Sequence, residues 1–258
     1  MPSLRLFDTH CHLDFPVFDG SRAALLAACR ACGVERIVIP GVTAQHWGRV
    51  LACCAEAPML LPALGMHPCF LDGQDAADLQ RLAELLVDPS VVAVGEIGID
   101  LWHGRQQLAR QIAVFDRQLD LAEQFNLPVL LHVRKAHDEV LARLRRRSRI
   151  KGGIVHAFSG SLQQAHQYAE LNFCVGIGGA LTYPRATRLA AVLAALPVEA
   201  LVLETDAPDM PLHGYQGQAN RPDRLPLVLS SLAAVRQQSD ETLAEQLWRN
   251  SCSVLGLA

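Results

Sequence analysis

The sequence predicts a (β/α)8 barrel, in which eight parallel strands alternate with helices around one core. Eight short apolar runs recur along the 258 residues, and stretches with helical spacing of apolar residues separate them. The runs are continuously apolar rather than alternating, as expected for strands covered on both faces. One chain of this length accommodates the whole alternation as a barrel. A doubly wound open sheet is the alternative that the same pattern allows.

The elements follow one another without a linker. The predicted strands are 4–10, 36–41, 60–65, 91–98, 128–133, 152–158, 172–178 and 200–206. Helical spacing is clearest in 21–32, 78–88, 110–125, 185–196 and 225–249. The stretch 207–224 lacks periodicity and follows the last strand, so we expect a structured loop there. We therefore predict a single domain, 1–258.

The composition excludes several classes of protein. The net charge is −3 and aromatic residues make up 5%, so neither a basic surface nor a set of stacking platforms is evident. No apolar run reaches the roughly 18 residues of a membrane span, and the start lacks a signal-peptide pattern. We therefore expect a cytoplasmic protein that does not associate with membranes. Its eight cysteines, including the pair Cys29 and Cys32, are expected to be reduced thiols.

The first predicted strand ends in an unusual pair of histidines, in the sequence "DTHCHLD". Side chains alternate along a strand, so His10 and His12 are predicted to point the same way and Cys11 the other way. Two neighbouring imidazoles suggest a metal ion, although buried histidines without a metal are also compatible with this pattern.

Ionisable residues stand at the carboxyl ends of six of the eight predicted strands: His10, His12, His67, Glu96, His132, His156, Glu204 and Asp206. The active site of a barrel is assembled at the carboxyl ends of its strands. Burying so many ionisable groups without partners would cost several kcal/mol each. A divalent cation removes that cost, because carboxylates and neutral imidazoles become its ligands. The pattern therefore predicts a metal centre.

Taken together, the motifs "DTHCHLD", "GMHP", "GEIGID", "LHVR", "HAFSG" and "ETDAP" run from residue 8 to residue 208. In this order they resemble the TatD family of metal-dependent hydrolases, a branch of the amidohydrolase-like TIM barrels. The stretch "ETDAPDMPLHGYQGQANRP" is similar to the YjjV-like subgroup. The chain differs from the family pattern at Ala157, at Leu101–Trp102 and at Arg221, which bears on the substrate pocket.

The resemblance implies two divalent metal ions. His10, His12 and Asp206 match the ligands of the first ion, and His132 and His156 match those of the second. Glu96 matches the carboxylate that bridges them, and its two oxygens suit ions about 3.5–4 Å apart. Mixed nitrogen and oxygen ligands favour zinc, with manganese or magnesium as alternatives.

The expected chemistry is hydrolysis by a metal-activated water. Asp206 is the expected general base, and Glu96 is the second catalytic carboxylate. Glu204 and Asp100 either orient a ligand or form ion pairs with nearby loops. The resemblance implies that His67 and Arg134 contact the substrate, and a guanidinium suits a phosphate. Asn220, in the final loop, is a further candidate for substrate binding.

The function implied is that of a phosphodiesterase of the deoxyribonuclease type, acting on DNA ends. Its partner would be a nucleic acid or a small phosphodiester or ester, with no obligate protein partner. The alternatives are hydrolysis of an ester or amide, such as an aminoacyl ester on a nucleic acid or a small cyclic amide, and a non-catalytic binding module. The basic stretch 143–151 is expected at the amino end of the barrel as a solvated helix end. The other five histidines are expected on the surface: His46, His103, His137, His166 and His213.

Overall fold

The computed structural model describes residues 4–257, and its strands form one parallel eight-stranded sheet paired in chain order. The strands are β1 (Leu6–Asp8), β2 (Val34–Pro40), β3 (Leu60–Leu64), β4 (Ala93–Asp100), β5 (Val129–Arg134), β6 (Gly153–Val155), β7 (Phe173–Ile177) and β8 (Leu201–Leu203). The sheet nearly closes, because the Thr9 N–H donates to the carbonyl of Leu203. The predicted barrel is confirmed. The open doubly wound sheet is wrong, since its strand order would reverse partway across the sheet.

Helices follow the strands and cover the outside of the barrel. They are α1 (Arg22–Ala31), α2 (Trp47–Cys54), α3 (Ala76–Leu85), α4 (Leu108–Phe125), α5 (His137–Leu144), α6 (Leu162–Ala169), α7 (Thr187–Ala195), α8 (Leu225–Arg236) and α9 (Asp240–Leu255). None of the helices in the described part of the chain has the length and apolar character to cross a membrane.

Both faces of the strands are buried, which explains their continuous apolar runs. One cluster, which includes Phe7, Leu130 and Ile154, fills the interior, and Trp248 of α9 packs against Phe7 with the ring centroids 5.7 Å apart. A second, larger cluster joins the opposite faces of the strands to the helices. This packing leaves the carboxyl ends of the strands to carry polar residues.

The first strand is shorter than predicted, because β1 ends at Asp8 rather than at residue 10. The Cys11 N–H donates to the carbonyl of Val38, and the His12 N–H donates to the carbonyl of Ala207. Backbone contacts with β2 and with the segment after β8 therefore set the common direction of His10 and His12. The prediction that both lie in a strand and point the same way through strand alternation was wrong.

Two expectations about the outer surface need correction. Arg143 and Arg147 of the basic stretch form ion pairs with acidic residues of α4, the latter at 2.6 Å from Asp120. Part of that stretch is therefore packed rather than solvated. His137 is not a surface residue: it is 8% exposed, and its Nδ1 lies 3.3 Å from the Tyr168 hydroxyl. All eight cysteines are free thiols, as expected.

Candidate metal centre

The structure brings the six candidate metal ligands together at the carboxyl end of the barrel. They are His10, His12, Glu96, His132, His156 and Asp206. All are buried except His132 and Asp206, which are partly exposed. They come from β4 and β5 and from the segments that directly follow β1, β6 and β8.

Glu96 lies at the centre of this cluster, with 2% of its surface exposed. Its Oε1 is 2.8 Å from His156 Nε2 and 2.9 Å from His132 Nδ1. Its Oε2 is 3.3 Å from His10 Nε2 and 3.7 Å from His12 Nε2. The two oxygens of one carboxylate thus face two separate pairs of imidazoles.

Asp206 completes the group around the first pair of histidines. Its Oδ1 lies 3.7 Å from Nε2 of both His10 and His12. The backbone holds it there, because the Asp206 N–H donates to the carbonyl of His10 at 2.8 Å. Potential ligand atoms of these three residues all lie within 4.8 Å of one another, and the same holds for His10, Glu96 and His156.

Asp8, which was not among the predicted site residues, joins the segment that follows β1 to the segment that follows β8. Its carboxylate accepts hydrogen bonds from the Thr205 N–H at 2.9 Å and the Thr205 hydroxyl at 2.6 Å. It also accepts one from the His10 N–H at 3.3 Å. Asp8 therefore fixes the segment that carries Asp206 against the segment that carries His10. An aspartate between an apolar run and the His-x-His pair was the available signal.

Asp100 orients His132 from the side away from Glu96. Its Oδ2 lies 2.8 Å from His132 Nε2, while Gln111 of α4 bonds to the Asp100 backbone at both N–H and carbonyl. Burial opposes protonation of His132, but the carboxylates of Asp100 and Glu96 outweigh it and raise the pKa of this imidazole to about 9. The contact is the orienting one anticipated for Asp100.

Glu204 contacts the segment that directly follows β6 and carries His156. Its Oε1 accepts from the Ala157 N–H at 2.6 Å and lies 3.9 Å from His156 Nδ1. A Cβ at Gly176 would come within 2.0 Å of Glu204 Oε2, so only glycine leaves room for this carboxyl. Glu204 is completely buried, and burial raises its pKa to about 8.

The electrostatics of the cluster fit a cation. Burial, together with the charges of Glu96 and Glu204, raises the pKa of Asp206 well above its usual value. Burial lowers the pKa of His10 to about 4 and that of His12 to about 3, so both imidazoles are neutral near pH 7. Neutral imidazoles next to clustered carboxyl groups are the donor set that a divalent cation takes.

Buried imidazole nitrogens without a hydrogen-bond partner in the described part of the chain also indicate a metal site. Neither ring nitrogen of His10 has a hydrogen-bond partner among the described residues, and the same is true of His12 Nδ1 and His156 Nδ1. Each buried polar atom left without a partner costs about 1–3 kcal/mol. A cation bound by His10 Nε2 would remove part of this cost, so the residues present fit a metal ion.

His67, which was predicted to contact the substrate, lies next to Glu96 at the centre of the cluster. Its Nδ1 accepts from the Cys69 N–H at 3.1 Å, which leaves Nε2 3.3 Å from Glu96 Oε1. Potential ligand atoms of His67, Cys69 and His132 also lie within 4.8 Å of one another. Cys69 was not predicted as a site residue, because it lies just outside the "GMHP" motif.

Arg134 and Asn220, the other two predicted substrate contacts, differ in their exposure to solvent. Arg134 is exposed and stacks over Trp102, with Cζ 3.9 Å from the ring centroid. Asn220 is completely buried, and its side-chain amide donates to the carbonyls of Thr205 and Met210. The expectation that Asn220 reaches the substrate therefore needs correction, because its polar atoms hold the final loop together instead.

Removing divalent metal is expected to destabilise the protein, because the cluster buries groups that a cation would satisfy. A ligand present at about 1,000 times its Kd stabilises the folded state by about 4 kcal/mol. In a chain of this size that corresponds to a fall in Tm of roughly 10 °C on chelation, recovered by adding zinc or manganese. Differential scanning calorimetry measures it.

The matched control for that experiment is the double variant His10→Ala/His12→Ala. Its Tm should not respond to the chelator, and its metal content, measured by elemental analysis, should fall. A wild-type Tm that is the same with chelator and with added metal, or an unchanged metal content in the double variant, would contradict the assignment.

Comparison with known proteins places the chain among metal-dependent hydrolases. The family model described as "TatD related DNase" matches residues 7–256. The "Uncharacterized metal-dependent hydrolase YjjV" of Escherichia coli is 42% identical over 255 residues, which cover 98% of both chains. Its crystal structure superimposes with a TM-score of 0.95 over 99% of both chains. The "3'-5' ssDNA/RNA exonuclease TatD" of Klebsiella pneumoniae is 30% identical over 258 residues, which cover 98% of both chains.

Proposed function

Because this chain belongs to the TatD family of metal-dependent hydrolases, we propose that it is a phosphodiesterase acting on the ends of nucleic acids. The observation that carries the proposal is the position of Glu96 between two pairs of imidazoles, at the mouth where Arg134 is exposed. The exonuclease names of relatives about 30% identical support the same reaction class.

Two divalent ions are the proposed cofactors, zinc first and manganese or magnesium as alternatives. His10, His12 and Asp206 would hold one ion, His132 and His156 the other, and Glu96 both. When bound, such ions lower the pKa of a coordinated water and stabilise negative charge on the substrate.

The side chains of the chain have separate tasks in this reaction. Asp206 is placed to accept the proton of the attacking water, since its carboxylate reaches the edge of the cluster with 14% of its side chain exposed. His67 has its Nε2 3.3 Å from Glu96 Oε1 and would contact the substrate. Arg134 would bind the non-bridging oxygens of the phosphate, for which a guanidinium has the matching geometry.

A panel of labelled substrates tests the proposal. Single-stranded DNA, RNA, aminoacyl-RNA and small esters are incubated with the protein and zinc, manganese or magnesium. The proposal expects shortening of DNA or RNA from an end. Cleavage of only the aminoacyl or small-ester bonds would favour the alternative, an ester or amide hydrolase. No hydrolysis of any substrate would favour a binding module.

Arg134→Ala is expected to impair hydrolysis of a phosphodiester much more than hydrolysis of a neutral ester. Losing a charged hydrogen-bond donor costs about 1.5–3 kcal/mol, so kcat/KM for a phosphodiester should fall about 10–100-fold. Hydrolysis of a neutral ester should change by less than about threefold. Arg134→Lys keeps the charge without the paired donors and should recover only part of the rate. An equal loss on both substrates would contradict a phosphate-binding role for Arg134.

A further inference from the structure

A cavity opens beside the candidate metal centre and extends over one half of the barrel. Its volume is about 890 Å³, and all of its lining residues lie between His132 and Pro211. They therefore come from β5, from α7 and from the segments that follow β6, β7 and β8. His132, His156 and Asp206 belong to the candidate metal centre, while Arg185 directly precedes α7 and Arg188 lies in its first turn.

Three guanidinium groups face this cavity: Arg134, Arg185 and Arg188. All three are exposed, and the structure gives none of them an ion pair within the described range 4–257. Arg143 and Arg147 on the outer surface are, by contrast, paired with acids. Outside the metal centre, Asp209 is the acidic residue that lines the cavity. The cavity wall therefore carries an excess of positive charge available to an anion.

The segment that carries Arg185 is held in place before any ligand binds. The Thr182 hydroxyl donates to the carbonyl of Gly179 at 2.7 Å and accepts from the His213 N–H at 2.8 Å. The Tyr183 hydroxyl donates to the carbonyl of Pro211 at 2.8 Å. The guanidinium of Arg185 lies 5.3 Å from the centre of the Tyr183 ring. Such anchoring lowers the entropy lost when a ligand binds.

The size of the cavity restricts what enters it. Cavities of about 300–1,000 Å³ enclose molecules the size of a drug, which is comparable to a few nucleotide units and far smaller than a duplex. The cavity also presents the aromatic side chains of Phe158 and Tyr183. Guanidinium groups and aromatic rings together suit a single strand, whose phosphates and bases are both accessible.

We propose that Arg185 and Arg188 form a phosphate-binding subsite that holds a single strand beyond the scissile bond. The inference rests on the proposed function, because the scissile bond is placed at the metal centre. The strand extends from that centre across the half of the barrel formed by β5–β8, where Arg185 and Arg188 bind a phosphate remote from the reaction.

The test compares the double variant Arg185→Ala/Arg188→Ala with the wild type on two phosphodiesters. One is a single-stranded oligonucleotide, and the other is bis(4-nitrophenyl) phosphate, which has no second phosphate. We expect kcat/KM for the oligonucleotide to fall about 10-fold or more, while the rate on the small diester stays within about twofold. The matched control, Arg146→Ala/Arg149→Ala, removes the same charge from the opposite end of the barrel and should leave both rates unchanged.

Binding gives a readout that does not depend on hydrolysis. Fluorescence anisotropy with a labelled single-stranded oligonucleotide measures Kd at several salt concentrations. Each phosphate neutralised on a single strand contributes about 0.7 to the slope of log Kd against log salt, so the double variant, which loses one phosphate subsite, should have a slope smaller by about 0.7. Arg185→Lys/Arg188→Lys, which retains the charges, should keep most of the slope.

The outcomes separate the two proposals. If the double variant matches the wild type in affinity, salt slope and oligonucleotide hydrolysis, the subsite is overturned and the phosphodiesterase proposal stands. If the wild type hydrolyses no phosphodiester, the phosphodiesterase proposal fails. The anisotropy then decides on the subsite: weaker binding by the double variant supports it, and equal binding overturns it.

Discussion

Replacing Glu96 by glutamine is expected to lower kcat/KM for phosphodiester hydrolysis by at least about 10³-fold, or about 4 kcal/mol of transition-state stabilisation. The physical reason is that this carboxylate lies within 3.3 Å of four imidazoles, those of His10, His67, His132 and His156. Burial alone would raise the pKa of Glu96, but these imidazoles hold it well below its usual value, so the group is ionised. Glutamine has nearly the same shape and removes that charge.

The measurement pairs steady-state kinetics with elemental analysis of the purified protein. We expect the Glu96→Gln variant to bind less metal than the wild type, because one carboxylate faces both pairs of histidines. Glu170→Gln makes the same chemical change on an exposed residue and serves as the control. Wild-type activity together with wild-type metal content in Glu96→Gln would exclude the bridging role of this carboxylate.

Asp206→Asn is the second change with a large expected effect, a fall in kcat of about 10²–10⁴-fold, the usual contribution of a general base. A carboxamide cannot accept the proton of the attacking water, although it retains an oxygen facing His10 and His12. Asp206 has φ +55°, a left-handed conformation that asparagine tolerates better than most residues. The backbone of this variant should therefore be unchanged.

Metal content distinguishes a lost base from a lost ligand in this experiment. We expect Asp206→Asn to keep most of its metal and a Tm close to that of the wild type while losing activity. Asp72→Asn, at a carboxylate whose side chain is 89% exposed, is the matched control. Activity within tenfold of the wild type would mean that another group accepts the proton.

Local sequence patterns were sufficient to predict eight strands that alternate with helices, with a barrel as the first expectation. Each strand is apolar on both faces because it lies between the interior cluster and the helices, and this shows in every run, including "VVAVGEIG". The ionisable residues at the carboxyl ends of the strands stand out against these runs, so the candidate ligands could be predicted without coordinates. Residue type and spacing were enough because the carboxyl ends of parallel strands meet at one end of a barrel.

The predictions for Asn220 and His137 were wrong because hydrogen bonds to residues distant in the sequence hold these side chains. The residue type of Asn220 suggested a polar contact, yet its amide is used by two carbonyls of its own loop. Nothing in the sequence around His137 indicated that it would be buried beside Tyr168. Such outcomes depend on which distant segments pack together, and the sequence near a residue does not contain that information.

The sequence by itself determined the alternation of eight strands with helices and the ionisable residues at the carboxyl ends of the strands, because both are set by residue type and periodicity along the chain. Only the tertiary structure decided how Glu96 divides its oxygens between two pairs of histidines and how Asp8 joins the segments of His10 and Asp206. It also decided that Arg185 and Arg188 share a cavity with the metal centre. These are distances between residues far apart in the chain, and packing sets them.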